Sequence, residues 1–545
     1  MLDLWYKNAV IYCLDVETYH DSDHDGIGDF NGLNHRLEYL SGLGVTCLWL
    51  LPFYPSPNRD NGYDVEDYYN VDPRLGHLGD FVDFMHQARE FGMRVIIDLV
   101  VNHTSIDHPW FQQARSDPDS PYRDFYVWSE KKPADHDEGL IFPGFQKSTW
   151  TYDRKAKAYY FHRFYEHQAE LNIANPRVRD EIRKIMGFWL ELGVSGFRID
   201  AAPFLIELKA LHNVDVSDPF EYLEEFRNYL SWRRGDAILL AEANVSASDA
   251  IKYFGDGNKC QMLFNFLLNQ HVMLSLAREE GGPLCKALED SPEIPPMAQW
   301  ANFLRNHDEL TLNALDESQQ QEVYAEFAPE ESMKIYNRGI RRRLPPMVQG
   351  DQRRLQLSHS VLLSLPGTPV IRYGEEIGMG EDLSLPERNS IRTPMQWANK
   401  HNGGFSCADP DQLIRPPVSG GPFGYEQVNV AAQQRDPDSL LSITERMIRV
   451  RKECPEIGWG KCRTLETQDR QITAHQCEWR GESIIVVHNF GERSRTIRLD
   501  LHSKDGEQFI ELLSDQPYAE LESPADPIKI SGYGYRWFRL GSDRR

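Results

Sequence analysis

Eight short apolar runs, many of them rich in β-branched residues, recur along the first 373 residues of this 545-residue chain, and helical segments separate them. Strands that alternate with helices are typical of a parallel sheet, because each crossover helix returns the chain to the same edge. The runs are AVIYCL (9–14), VTCLWLL (45–51), RVIIDLVV (94–101), GFRID (196–200), ILLAEA (238–243), MLFNF (262–266), WANFLRN (300–306) and PVIRY (369–373). Eight such units predict an α/β fold, a (β/α)8 TIM barrel.

The segment between the third and fourth runs has the pattern of an outer barrel helix. RVRDEIRKIMGFWLEL places Val178, Ile182, Ile185 and Trp189 on one face at helical spacing. An apolar stripe of this kind is what a helix needs in order to pack against a sheet.

Long excursions interrupt the barrel pattern and predict the domain organisation. Residues 104–175 are rich in aromatic residues, Pro and Asp, and they predict a small inserted domain over the carboxyl-terminal mouth of the barrel, after the third strand. The catalytic barrel then comprises residues 1–103 and 176–457. From residue 458 to 545, alternating apolar segments between turns predict a C-terminal antiparallel β-sandwich.

The charge of the chain excludes several classes of partner. There are 59 Lys and Arg against 83 Asp and Glu, which gives a net charge of −24. Nucleic acids and anionic membranes attract cationic surfaces, so we expect neither as a partner. No apolar run reaches the roughly 20 residues that span a bilayer, and the N-terminus MLDLWYKNAVIY lacks the features of a signal peptide. We therefore expect a soluble, cytoplasmic protein.

The cysteines are scattered along the chain and form no CxxC pair. In a large chain without a secretion signal, free buried thiols are expected in preference to disulfides, and zinc binding is not expected. The eight residues are Cys13, Cys47, Cys260, Cys285, Cys407, Cys454, Cys462 and Cys477.

Carboxylates follow three of the predicted strands. Asp200 ends the fourth run, Glu242 is the last residue but one of the fifth and Asp308 follows the seventh. In a barrel the carboxyl-terminal strand ends converge on one mouth, where active sites lie. A single Asp at a strand end could be only a helix cap or an ion-pair partner. Three together, with Arg198, His103 and His307 beside them, predict the carboxyl pair that a retaining glycosidase uses as nucleophile and acid/base.

The same segments resemble a known family. DLVVNH, GFRID, AEAN and FLRNHDE are similar, in order and spacing, to the signature segments of the α-amylase superfamily, glycoside hydrolase family 13, and HQAELN resembles its short motif after the inserted domain. Within that family, NRGIRRRLPPM, SLPGTPVIRYGEEIGMG, RTPMQW and YPSPNRDNGYD most resemble the subfamily of trehalose synthases, which interconvert maltose and trehalose. The resemblance extends over about the whole chain.

The resemblance implies roles for the strand-end residues. It implies that Asp200 is the nucleophile, that Glu242 is the general acid/base, and that Asp308 grips sugar hydroxyls and stabilises the transition state. It also implies that Asp64 and Arg392 pair across the non-reducing end of the glucose unit and close the pocket behind one sugar. The further implied substrate-binding residues are Tyr63 (by stacking), His103, Gln168, Arg198, Phe204, His307 and Glu309. Phe204 stands where the subfamily typically has a Tyr whose hydroxyl could bridge to Glu309.

An acidic turn after the first strand is a candidate metal site. Its carboxylates alternate along the chain and a Gly permits a tight turn, an arrangement that suits a hard cation such as Ca²⁺. The candidate ligand positions are Asp21, Asp23, Asp25, Ile27 and Asp29. It is not an EF-hand, because Gly32 occupies the twelfth position, but the turn resembles the structural calcium loop of the superfamily. A solvated acidic turn without metal is the alternative, and no organic cofactor is expected.

The expected function is α-glucosyl transfer through a covalent glucosyl-enzyme intermediate. The substrate would be a small sugar, namely maltose, trehalose or another α-glucoside. Interconversion of maltose and trehalose is the first hypothesis, with hydrolysis as a side reaction. An exo-acting α-glucosidase or transglucosidase, or an amylase-type hydrolase, is the alternative, and an inactive sugar-binding barrel is a third. The sequence leaves open whether the chain forms a homo-oligomer.

Overall fold

The structure, a computed structural model, describes residues 3–207, 218–501, 507–521 and 523–542. Eight parallel strands close into a barrel in which each strand pairs with its neighbours in the chain and the last pairs with the first. They are β1 (Ile11–Leu14), β2 (Cys47–Leu50), β3 (Arg94–Leu99), β4 (Gly196–Ile199), β5 (Ile238–Ala241), β6 (Met262–Phe264), β7 (Gln299–Phe303) and β8 (Thr368–Arg372). All eight predicted runs are therefore barrel strands, and the predicted fold class is confirmed.

Most of the predicted strands are longer than the observed ones, because hydrogen-bonded pairing stops before the end of the apolar run. The fourth and fifth predicted runs reach Asp200 and Glu242, but β4 ends at Ile199 and β5 at Ala241. The carboxylates lie just beyond the sheet because the chain turns there to enter the next loop. This is the position at which a barrel presents functional side chains.

Helices surround the barrel and cover its apolar outer face. The helix Pro176–Glu191 buries Val178, Ile182, Ile185 and Trp189, as predicted, and Asn175 caps it by accepting a hydrogen bond from the Arg177 amide. The other α-helices between barrel strands are Phe30–Asn34, Leu37–Leu43, Leu78–Glu90, Ala202–Ile206, Glu221–Arg233, Ala247–Phe254, Phe266–Arg278, Gly282–Glu289, Glu317–Phe327, Leu344–Met347 and Gln352–Ser364. Val430–Gln433, Leu440–Lys452 and Pro455–Trp459 follow β8. In the described part of the chain, no helix is both long enough and apolar enough to cross a membrane.

The insertion between β3 and the helix Pro176–Glu191 forms small sheets of its own. His103–Ser105 pairs with Gln168–Glu170, and Ala158–Phe161 pairs with both Trp128–Ser129 and Trp150–Asp153. One α-helix, Pro109–Ser116, packs beside them. After β7, the short strands Leu310–Thr311, Lys334–Ile335 and Gly339–Ile340 form another small sheet. These loops stand at the carboxyl-terminal end of the barrel.

The C-terminal region is antiparallel, as predicted. Five strands form one sheet in the order Lys461–Leu465, Ile472–Trp479, Glu482–Asn489, Tyr535–Ser542 and Glu507–Ser514, and a second sheet pairs Arg495–Ile497 with Ile528–Ile530. Ile485 and Val487 of the larger sheet share an apolar core with Ile528 and Ile530 of the smaller one. Alternate residues of the larger sheet, such as Trp537, belong to the main core beside the barrel.

The prediction of free cysteines is wrong for two of the eight. Cys462 and Cys477 are register partners on adjacent antiparallel strands, and they form a disulfide with their Cα atoms 4.1 Å apart. Their sequence spacing gave no sign of this pairing, because the register of the two strands creates it. The remaining six are free thiols, of which Cys285 is partly buried, Cys407 is exposed and the other four are buried.

Candidate active site

One guanidinium group lies among the carboxylates at the barrel mouth. Asp98 of β3 and Arg198 of β4 are register partners, and Asp200 follows two residues later on the same face of the strand. Arg198 Nη1 donates to Asp98 Oδ1 at 2.8 Å and to Asp200 Oδ1 at 2.6 Å. Its Nη2 donates to Glu242 Oε2 at 2.6 Å. Three carboxylates therefore share one cation.

The turn after β4 also holds Glu242. Ala201 adopts a left-handed conformation with φ +49°, which is unfavourable for a residue with a side chain. In this conformation its amide donates to Glu242 Oε2 at 3.1 Å. A strained backbone at this position thus helps to place the carboxylate next to Arg198.

Burial and mutual repulsion change the protonation of these carboxylates. Burial raises the pKa of Asp200 to about 7, with Arg198 opposing it and Asp98 and Asp308 adding to it. Burial likewise raises the pKa of Glu242 to about 7, where Asp200 adds to the effect, and that of Asp98 to about 6. Such interacting groups titrate together rather than singly. Protonation within this group is therefore favoured near neutral pH.

Asp308 has the opposite environment. Arg388 Nη1 and Arg392 Nη2 donate to its Oδ1 at 2.8 Å and 2.9 Å, and His307 Nε2 lies 3.1 Å from its Oδ2. Burial alone would raise the pKa of Asp308, but His307 and the guanidinium groups of Arg388 and Arg392 outweigh it and hold that pKa well below its usual range. Asp308 is thus ionised, whereas burial favours a proton on Asp200 or Glu242.

The carboxylates of Asp200, Glu242 and Asp308 open into one cavity of about 370 Å³. That volume lies within the usual range for small-molecule sites. Five of the predicted substrate-binding residues also line the cavity, namely Tyr63, His103, Gln168, Phe204 and Glu309. The other four, which are Asp64, Arg198, His307 and Arg392, are buried behind the lining residues.

The predicted pairing of Asp64 with Arg392 is wrong. Asp64 accepts hydrogen bonds from Ser56 Oγ at 2.8 Å and from the Arg59 amide at 3.1 Å. Its oxygens therefore brace its own loop, and Arg392 binds Asp308 instead. The residues that pair across the cavity lining are Asp60 and Arg388, whose Oδ1 and Nη2 atoms lie 2.7 Å apart.

Arg388 connects two sides of the cavity. It donates to Asp60, which precedes Tyr63 in the loop after β2, and to Asp308 after β7. Gln168 Nε2 donates to the second oxygen of Asp60 at 2.9 Å. The ion pair of Asp60 and Arg388, which the Gln168 side-chain amide also contacts, thus closes the side of the cavity that these residues line.

Tyr63 is held by other site residues. Its hydroxyl donates to Asp98 Oδ2 at 2.9 Å and lies 2.7 Å from His307 Nε2. Its ring stacks on the His307 ring with centroids 5.6 Å apart. His103 Nε2 lies 2.9 Å from the Tyr63 carbonyl oxygen, and burial lowers the pKa of His103 to about 4, so this ring is neutral. These contacts fix the ring orientation before any sugar arrives.

Phe204 and Glu309 do not contact each other through a polar bridge. The Phe204 ring packs against Phe164 with centroids 5.6 Å apart, and the Arg163 guanidinium lies 4.9 Å from its centre. Glu309 Oε1 instead accepts from Arg338 Nη2 at 2.8 Å.

Several lining residues escaped the sequence prediction, some because distant loops supply them and others although they stand in segments quoted above. They are Asp60, Ile141, Phe142, Phe164, Asn244, Asn306, Arg338 and Arg388. Asp98 lies beneath them and was overlooked although it stands in the quoted DLVVNH segment. The sequence could have identified Asp98 and Arg388 as site residues. Asp98 lies one residue before the end of a strand, and Arg388 lies about one helical turn before Arg392.

The acidic turn brings only part of its predicted ligand set together. Asp21, Asp23 and Asp29 each offer one carboxylate oxygen within 4.8 Å of the others, whereas Asp25 is outside that group. Ile27 could contribute only its backbone carbonyl oxygen, and its place in the ligand set stays a prediction. Burial and then the neighbouring carboxylates raise the pKa of Asp23, which reflects an excess of negative charge. Hard oxygen donors with uncompensated charge fit Ca²⁺.

A barrel mouth that holds two carboxylates on one arginine, both with raised pKa values, and an ionised third carboxylate is typical of enzymes that cleave or transfer glycosidic bonds. The chain belongs to the α-amylase family, because the family described as "Alpha amylase, catalytic domain" matches residues 14–460. A second family, "Sucrose hydrolase-like, C-terminal domain", matches residues 481–539.

Named relatives are similar over almost the whole chain. A trehalose synthase of Thermus thermophilus is 46% identical over 98% of this chain, which spans 56% of that relative. A trehalose synthase of Pimelobacter sp. (strain R48) is 40% identical over 98% of this chain and 96% of the relative. Among solved structures, a trehalulose synthase from Pseudomonas mesoacidophila MX-45 has a TM-score of 0.78 at 25% identity, and the match covers 98% of this chain and 99% of that one.

Proposed function

We propose that this enzyme interconverts maltose and trehalose by retaining α-glucosyl transfer. The observation that carries the proposal is the cavity that Asp200 and Glu242 line and in which both carboxylates contact Arg198. The names of the relatives that are 40–46% identical over 98% of the chain support the choice of substrate.

In the proposed reaction, Asp200 attacks the anomeric carbon of the glucosyl unit while Glu242 gives its proton to the leaving oxygen. The glycosidic bond breaks and a glucosyl ester of Asp200 forms. Glu242, now ionised, then takes the proton of an acceptor hydroxyl, which displaces Asp200. Arg198 suits this exchange because it contacts both carboxylates and can stabilise whichever one is charged.

The other site residues would bind the glucosyl unit. The anionic Asp308 would accept hydrogen bonds from sugar hydroxyls and stabilise the positive charge that develops in the transition state. The pair of Asp60 and Arg388 would close the cavity behind the glucosyl unit, a role first assigned to Asp64 and Arg392. The neutral His103, together with Gln168 and Glu309, lines the same cavity and would contact sugar hydroxyls.

Isomerisation requires that the released glucose stays in the cavity, turns, and attacks through its anomeric hydroxyl. A retained acceptor has a high effective concentration, which allows it to compete with water. Hydrolysis is the second candidate, because Phe204 lacks a hydroxyl with which to bridge to Glu309 at the entrance.

Incubation with maltose tests the proposal. We expect trehalose as the main product with some free glucose. Free glucose without trehalose would overturn the isomerase assignment and support the hydrolase. Unchanged maltose would overturn the isomerase assignment and favour the hypothesis of an inactive sugar-binding barrel.

We also propose that the acidic turn binds a structural Ca²⁺ through Asp21, Asp23 and Asp29. Ser406 Oγ donates to Asp21 Oδ2 at 2.5 Å, which connects this turn to the loop after β8. A cation here would neutralise the three carboxylates and stabilise both loops, and it would take no part in the chemistry.

A further inference from the structure

Three loops around the cavity meet at a single carboxylate. Tyr165 belongs to the insertion after β3, Tyr336 to the loop after β7 and Glu387 to the loop after β8. Glu387 Oε2 accepts the Tyr165 hydroxyl at 2.5 Å and the Tyr336 hydroxyl at 2.6 Å. The two hydroxyl oxygens lie 3.1 Å apart. We call this arrangement the Glu387 bridge.

An aromatic side chain packs between the bridge and the cavity. Phe142 lines the cavity and is 3% exposed. Its ring centroid lies 4.6 Å from that of Tyr165 and 4.6 Å from that of Tyr336. The tyrosines do not line the cavity themselves, so the bridge acts on the cavity wall through Phe142.

The bridge is also linked to the catalytic carboxylates through the backbone, because Glu387 directly precedes Arg388. Glu387 has a left-handed backbone with φ +44°, a conformation that costs free energy for a residue other than Gly. The next residue, Arg388, donates to both Asp60 and Asp308. The two tyrosine hydrogen bonds hold Glu387 in this conformation, and Arg388 is thereby kept in place.

We propose that the Glu387 bridge holds the insertion against the two loops, retains the released sugar in the cavity, and so sets the ratio of transfer to hydrolysis. This inference rests on the proposed function. Two hydrogen bonds from hydroxyls to one carboxylate are charge-assisted and strong when partly buried. When they are lost, Phe142 is no longer fixed, and both exit of the sugar and entry of water become faster.

The chemistry explains why retention would change the products. The bond between the anomeric carbon and Asp200 breaks in either outcome, and the new bond forms to a sugar oxygen or to a water oxygen. In both cases Glu242 receives the proton of the attacking hydroxyl or water. The outcome depends only on which acceptor is present at that moment, and a tenfold change in the ratio corresponds to about 1.4 kcal/mol.

The test uses a double substitution of Tyr165→Phe and Tyr336→Phe in the full chain. Each Phe keeps the ring that packs on Phe142 and removes only the hydroxyl that binds Glu387. The measurement is the molar ratio of free glucose to trehalose formed from maltose. We expect this ratio to rise about tenfold. The total rate of maltose consumption should fall by a smaller factor.

Tyr160→Phe is the matched control. Tyr160 also lies in the insertion, is 4% exposed, and donates its hydroxyl to the Glu166 carbonyl oxygen at 2.5 Å. It lies outside the bridge, so we expect its product ratio to stay within twofold of the wild type. Glu387→Gln keeps a carbonyl acceptor for one hydroxyl, and we expect an intermediate ratio.

The outcomes separate the two proposals. If the wild type makes trehalose and the double variant keeps the wild-type ratio, the role of the bridge is overturned, even if total turnover falls. An equal rise in the Tyr160→Phe control would also overturn it, because the effect would then be a general loosening of the insertion. Absence of trehalose with the wild type refutes the proposed function instead.

Discussion

Arg198 carries one positive charge that contacts Asp98, Asp200 and Glu242 together. This excess of negative charge decides how the site is protonated. With all three ionised, the group would carry two uncompensated negative charges in a buried place. Protonation of one carboxylate relieves the repulsion, which agrees with the raised pKa values of all three. Asp308, held by Arg388 and Arg392, stays charged and does not compete for that proton.

The nucleophile can be tested by Asp200→Asn. The amide cannot form the glucosyl ester, so we expect kcat on maltose and on trehalose to fall by at least about 10⁴-fold. Asp107→Asn is the control, because Asp107 is a partly exposed partner of Arg59 and does not line the cavity. Turnover by Asp200→Asn near the wild-type rate would refute the assignment.

The raised pKa values of Asp200 and Glu242 predict the pH dependence of activity. Loss of the proton from the Asp200 and Glu242 pair removes the general acid, so kcat/KM should fall as pH rises above about 7. Asp98→Asn removes a negative neighbour that raises the pKa of Asp200, and we expect the alkaline limb to move to lower pH. A pH profile that keeps the wild-type alkaline limb in Asp98→Asn would contradict this electrostatic account.

At the scale of elements, regular segments were predictable and loop contacts were not. Strands such as β2 are continuous apolar runs, because a parallel barrel strand is buried on both faces. Their ends also located Asp200, Glu242 and Asp308. The pairing of Asp60 with Arg388 depends on how two long loops cross, and no local periodicity records that. The disulfide of Cys462 and Cys477 likewise depends on strand register.

The acidic turn is an element whose stability should depend on metal. In the proposal, Ca²⁺ binds the folded turn and not the unfolded chain, so calcium at 100 times its Kd adds about 2.7 kcal/mol of stability. We expect EDTA to lower the Tm by several degrees and Ca²⁺ to restore it. Asp21→Asn should abolish this difference, whereas Asp67→Asn, in a turn bonded to Asn70, should keep it. An equal Tm with EDTA and Ca²⁺ would contradict the proposal.

At the scale of the molecule, the barrel supplies the reacting groups and its loops supply the enclosure. Asp200, Glu242 and Asp308 come from strand ends, while Phe142, Arg338 and Arg388 come from three separate loops. Enclosure is what would distinguish isomerisation from hydrolysis on the same carboxylates. The central claim is therefore that the released glucose is the acceptor and does not leave.

Isotope labelling of added glucose tests that claim most directly. The enzyme is incubated with unlabelled maltose and an excess of ¹³C-glucose, and the trehalose formed early in the reaction is analysed by mass spectrometry. The account predicts trehalose that is almost entirely unlabelled, because the retained glucose attacks before it can exchange with solution. Trehalose that carries the label in proportion to free glucose, or free glucose with no trehalose, would contradict it.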